Sequence, residues 1–132
     1  MTEFTTTKTV DPQRIADMFV GAIEGGSAYW CQGFVLSKLP VFEKTEGDIW
    51  YSNGTFWAAD DYEVTAKFDD PDQPEGNYAG VKIIKPEDVQ KGLQLMAEKY
   101  PRHFTDMIQE QDDATTADVF FQCVVLQDVI YG

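Results

Sequence analysis

Between Asp11 and Gly26 the apolar residues Ile15, Met18, Phe19, Ala22 and Ile23 recur at spacings of three and four. That period matches a helix with one buried face, and it is the clearest element in the chain. Asp11-Pro12 supplies its start, an N-cap and then a proline at the first helical position. Gly25-Gly26 marks its end, as a left-handed C-cap with close backbone packing. Ser27-Ala28-Tyr29-Trp30-Cys31 follows, aromatic and compact, and leads into the apolar run Phe34-Val35-Leu36.

The remaining patterns are shorter. Glu3 to Val10 is Thr-rich and suits a strand. Ile49-Trp50-Tyr51 and Thr55-Phe56-Trp57 flank Asn53-Gly54, the strongest short hairpin signal. Tyr62, Val64, Ala66 and Phe68 alternate with Glu63, Thr65 and Lys67, which predicts a half-exposed strand. Asp69 to Asn77 is a polar loop, and Tyr78 to Ile84 a further strand. A second helix opens at Lys85-Pro86-Glu87-Asp88, carries Val89, Leu93, Met96 and Tyr100, and ends at Pro101. Phe104, Met107 and Ile108 predict a short helix, and Thr115-Thr116 cap a last one through Leu126. Val129-Ile130-Tyr131 closes the chain as an edge strand or a docked tail.

Strands gathered early and helices late argue for an α+β fold rather than a parallel sheet. The expectation is one domain over residues 1–132, with an antiparallel sheet of four or five strands packed against three or four helices. Its 132 residues are the size of a single domain, and 43% hydrophobic residues are enough for a core.

Charge sets the main constraint on function. Ten Lys and Arg against 23 Asp and Glu leave a net charge of −13. Such a surface repels phosphate backbones and anionic lipid, so direct nucleic-acid and membrane binding are not expected. No stretch reaches the roughly 18 apolar residues of a membrane span, and a cytoplasmic location is expected.

The acids are clustered. Asp60, Asp61, Glu63, Asp69, Asp70, Asp72 and Glu75 surround only Lys67. Asp106, Glu110, Asp112, Asp113 and Asp118 form a second group without an intervening Lys or Arg. Duplex DNA carries one charge per ~1.7 Å of axis, so a dozen carboxylates on one face match roughly 20 Å of duplex. Such a face could occupy a basic groove as a DNA mimic. Its ordinary alternative is a surface that keeps a small protein soluble.

Other chemistry finds little support. Asp70 and Asp72 fit the first ligands of a calcium loop, but Pro74, Glu75 and the missing twelfth-position acid break the pattern. No metal, cofactor or catalytic residue is expected. His103 is the single histidine and has no motif around it, and Cys31 and Cys123 suit buried free thiols in a reducing compartment. Adjacent Asp60 and Asp61 on a strand point to opposite faces and make a weak catalytic pair. The aromatic residues between Tyr29 and Tyr62 read mainly as core, while Tyr51, Trp57 and Tyr62 border polar positions and could line a pocket or anchor a partner.

Two stretches carry a resemblance. Ala22-Ile23-Glu24-Gly25-Gly26-Ser27-Ala28-Tyr29-Trp30-Cys31 resembles a helix-Glu-Gly-Gly…Tyr-Trp-Cys motif of small uncharacterised bacteriophage and mobile-element proteins. The segment from Ala117 through Gln122 to Tyr131-Gly132 resembles the end of the same proteins. The resemblance implies a phage setting and no catalytic residues.

The expected function is therefore non-enzymatic: an acidic phage-type protein that binds and inhibits a host protein, the expected targets being nucleic-acid-binding defence or transcription complexes. Asp60, Asp61, Glu63, Asp69, Asp70, Asp72 and Glu75 would engage its basic surface, with Trp57 or Tyr62 as apolar anchor. The alternative is a binder of a small nucleotide-like signal. It would use the aromatic cluster, the Gly25-Gly26-Ser27 amides, and Lys38, Lys44, Lys82 or Lys85.

Overall fold

The computed structural model describes residues 2–69 and 78–132. Helix α1 spans Pro12–Gly21 and begins as expected, with the Asp11 carboxylate accepting from the Gln13 N–H at 2.9 Å. Ile15, Ala16, Met18 and Phe19 form its buried stripe. The helical segment ends at Gly26 as expected, but not by a left-handed cap. The helix widens into a π-turn over Ala22–Gly26, and neither Gly25 nor Gly26 has a positive φ. Gly26 is needed because a Cβ there would sit 2.3 Å from the Ala114 carbonyl oxygen. Close packing, not a left-handed cap, accounts for it.

Strands β1 (Cys31–Lys38), β2 (Glu63–Asp69) and β3 (Tyr78–Ile84) form one antiparallel sheet in the order β1-β2-β3. Among the described residues there are three strands, not the four or five expected. Residues 2–10 form no strand and lie mostly exposed. The Asn53-Gly54 hairpin is absent as well. Trp50–Ser52 is a 3₁₀ turn and Gly54–Ala58 a short helix, α2. Packing decides this: the Gly54 N–H donates to Gln13 Oε1 at 3.0 Å, and a Cβ on Gly54 would meet the Gln13 backbone nitrogen at 2.7 Å. Asn53 spends its side chain on the Ile49 carbonyl and the Thr45 N–H.

The late helices follow the sequence pattern: α3 over Pro86–Lys99, α4 over Pro101–Ile108 and α5 over Ala114–Val125. The cap of α5 is Asp113, whose carboxylate accepts from the Thr116 N–H at 2.9 Å, rather than either threonine. Every residue of α5 from Thr116 to Val125 is buried. A helix covered on all sides is the centre of its domain. Here α1, α3, α4 and β3 all pack on it.

Aromatic side chains join the layers. Phe19 stacks on Trp57 with ring centres 3.8 Å apart and meets Phe120 edge-on at 5.1 Å. From β1, Phe34 reaches Phe121 at 5.7 Å. The C-terminal tail docks rather than pairing as a strand. Gln122 Oε1 accepts from the Ile130 and Tyr131 N–H groups at 2.8 and 2.9 Å, and Tyr131 stacks on Trp30.

Candidate functional site: an exposed acidic rim

The carboxylates singled out by sequence divide into three groups. Asp60 and Asp61 are exposed on the turn between α2 and β2. Glu63 is half-buried on β2, on the face opposite Val64 and Ala66. Asp69 ends β2, while Asp70, Asp72 and Glu75 lie outside the described residues. The calcium-like spacing at Asp70 and Asp72 lies there too. Among the described residues, no group of three or more His, Cys, Asp or Glu side chains could hold a metal ion.

The second acidic stretch is largely used inside the molecule. Arg14, half-buried on α1, donates to Asp17 at 2.8 Å, to Asp112, and to the Met107 carbonyl at 3.1 Å, with Glu110 3.8 Å away. Asp113 caps α5, and its carboxyl is held below the usual range by the Thr116 N–H. Asp118 is interior, 9% exposed. It accepts from Ser27 Oγ at 2.8 Å, Tyr29 Oη at 2.6 Å, Trp30 Nε1 at 2.7 Å and Gln122 Nε2 at 3.0 Å. Four donors satisfy a carboxylate that would otherwise be costly to bury. Burial of the hydroxyl and its bond to Asp118 push the Tyr29 phenol up to about 12. Asp112, Asp113 and Asp118 are therefore paired or bonded within the molecule.

Sequence spacing missed a different grouping. Glu43, Glu46 and Asp48 are all exposed in the segment between β1 and the 3₁₀ turn. That segment is tied to α2, since the Thr55 hydroxyl donates to the Glu43 carbonyl and the Thr45 N–H donates to Asn53 Oδ1 at 3.1 Å. Asp60 and Asp61 leave the other end of the same five-residue helix. Glu24, exposed at the π-turn, accepts from Tyr51 at 3.0 Å on the adjoining 3₁₀ turn. The result is a rim of exposed carboxylates anchored around α2. The signal that could have found it is the run Glu43-Lys44-Thr45-Glu46-Gly47-Asp48, which holds three acids and one lysine.

The apolar anchor is corrected. Trp57 is 5% exposed and Tyr62 1%, both inside the aromatic core. Trp57 donates its indole N–H to the Tyr51 carbonyl at 2.8 Å, and Tyr62 lies against Phe56 and Trp57. Neither side chain can reach a partner without unfolding the core.

The Gly25-Gly26-Ser27 turn borders a cavity of about 150 Å³ lined by Ala22, Ile23, Ser27, Cys31 and Phe34. Typical small-molecule sites run from roughly 300 to 1,000 Å³. No lysine lines the cavity, and Lys82 is paired with Asp88 at 3.0 Å. The Ser27 and Ala28 amides are already bonded to Ala22 and Gly25 carbonyls. The cavity is thus smaller than such sites and has no cationic side chain in its lining.

His103 Nδ1 lies 2.9 Å from the Thr116 hydroxyl on α5. Cys31 and Cys123 are free, and burial pushes their thiols up to about 11 and about 12. No helix among the described residues is long and apolar enough to cross a membrane. No family model, curated protein or solved structure matches the chain.

Proposed function

We infer that this protein is a non-catalytic binder that engages the basic surface of another protein through its carboxylates. The observation that carries this reading is the rim of Glu43, Glu46, Asp48, Asp60 and Asp61 around α2, on a chain of net charge −13. Clustered like charges raise association rates toward a basic partner and set its orientation. The partner class is a nucleic-acid-binding complex, because its groove is built to receive closely spaced negative charge. The resemblance of the Glu24-Gly25-Gly26…Tyr29-Trp30-Cys31 stretch to bacteriophage proteins favours a host defence or transcription complex, with inhibition by occupying the groove.

Its test is competition with duplex DNA for a panel of such complexes, measured across a salt series. Binding should weaken steeply as salt rises. Reversal of Glu46, Asp48, Asp60 and Asp61 to lysine should lower affinity by on the order of 100-fold. Binding that ignores both salt and charge reversal removes the electrostatic mechanism.

A further inference from the structure

Helices cover one face of the sheet, and the other face is not built as a solvated surface usually is. Antiparallel sheets with one wet face normally alternate apolar-in and polar-out. Here Val35, Val81 and Ile83 point outward and are 54%, 58% and 46% exposed. They are neighbours: Val35 on β1 and Ile83 on β3 both register with Thr65 on β2, and Val81 registers with Lys67.

The charges on this face are arranged as complements of one another. Glu63 and Lys67 lie on the outward side of β2, two residues either side of Thr65. Consider a two-fold axis between two copies that crosses β2 at Thr65, at right angles to the strand. It lays each β2 antiparallel on its copy, so Lys67 meets Glu63 of the second copy, twice over. The same operation sets Val35 against Val35 and Ile83 against Ile83. Lys38 and Lys85 flank Glu63 in its row, so the same operation brings Lys85 to Val81 of the second copy. An isologous contact needs a surface that is its own complement, and the Lys67–Glu63, Val35–Val35 and Ile83–Ile83 positions supply one.

We propose that the outer sheet face, centred on Val35, Thr65 and Ile83, is a self-association surface that pairs two copies of this chain face to face. Three strands ~4.8 Å apart and seven residues long at ~3.4 Å each present roughly 330 Å² of flat face per copy. That is below the ~800 Å² per partner of a standard stable interface. The dimer therefore belongs to the weak, transient end of such contacts. The surface adjoins the Asp60-Asp61 end of the α2 rim but uses none of the rim's carboxylates.

Sedimentation equilibrium from micromolar to ~1 mM protein tests it. The expected result is a monomer of 14.9 kDa passing to a species of twice that mass. Added salt should strengthen this dimer, because screening relieves repulsion between two copies of charge −13. Salt acts oppositely on the rim complex, so the two readings fail separately. Val35→Asp and Ile83→Asp should each weaken the dimer at least ~10-fold while the circular dichroism stays native, since both positions are exposed. Glu63→Lys or Lys67→Glu alone should weaken it several-fold, and the double exchange should restore it. A chain that stays monomeric at ~1 mM in high salt overturns the proposal and leaves this face to a different protein. So does a dimer indifferent to Val35→Asp and Ile83→Asp, or one that the double exchange fails to rescue.

Discussion

The indole N–H of Trp30 donates to Asp118 Oδ1 at 2.7 Å, joining residues 88 positions apart. Around this bond Ser27, Tyr29 and Gln122 also donate to Asp118, and Gln122 holds the backbone of Ile130 and Tyr131. The segment after the π-turn, the central helix and the C-terminal tail are thereby fastened at one buried node. The segment Ser27–Trp30 and the stretch from Asp118 to Tyr131 meet there.

Asp118→Leu should be among the most damaging single changes. It leaves the Trp30 and Ser27 donors buried without an acceptor, at a cost of about 1–3 kcal/mol for each. Urea unfolding should show a loss of ~3–5 kcal/mol, with Trp30→Phe losing less because it removes donor and bond together. A loss below ~1 kcal/mol for Asp118→Leu would mean the node contributes little.

The paired glycines should respond very differently to alanine. A Cβ on Gly26 would lie 2.3 Å from the Ala114 carbonyl oxygen, whereas one on Gly25 meets nothing within 4 Å. Gly26→Ala should cost ~3 kcal/mol or more through forced separation of the π-turn from α5. Gly25→Ala should be neutral or slightly stabilising, by up to ~1 kcal/mol. Equal melting temperatures for the two variants would contradict this packing.

Arg14→Met should leave Asp17, Glu110 and Asp112 facing one another without their cation. Stability should fall by about 1–3 kcal/mol, and the deficit should shrink as salt screens the repulsion. Thermal melts of both proteins at low and high salt measure the difference. A deficit that does not change with salt would assign Arg14 a packing role only.

Alkali should expose the buried phenols. Burial is the first cause raising Tyr29, to about 12, and it also raises Tyr51 and Tyr62; Tyr100 is raised mainly by its bond to Asp128. A folded-state value above the unfolded one stabilises fully below the unfolded value and is lost as pH climbs through the folded one. The protein should hold its fold past pH 10; the buried Tyr51 and Tyr62 should ionise only with unfolding, while the exposed Tyr29 and the Asp128-bonded Tyr100 should ionise late without requiring it. An absorbance titration in which all six ionise near 10, while the far-ultraviolet dichroism stays native, would exclude this environment.

Much of the fold was legible because local rules agree with one another along α1, α3, α4, β2 and β3. Period, caps and prolines there all point the same way. The hairpin expected at Asn53-Gly54 failed because the glycine serves the approach of α1 instead of a positive φ. The site was less legible. Counting acids along the chain cannot distinguish Asp61, exposed on a turn, from Asp118, enclosed by four donors.

The sequence alone determined the α+β class, the amphipathic helices and the excess of negative charge, since these depend on composition and on spacings within a few residues. Tertiary structure alone decided which carboxylates are spent inside the molecule, that Trp57 and Tyr62 are core, and that Glu43 and Asp60 flank the same short helix. Burial and pairing depend on partners far apart in the chain, and no local pattern records them.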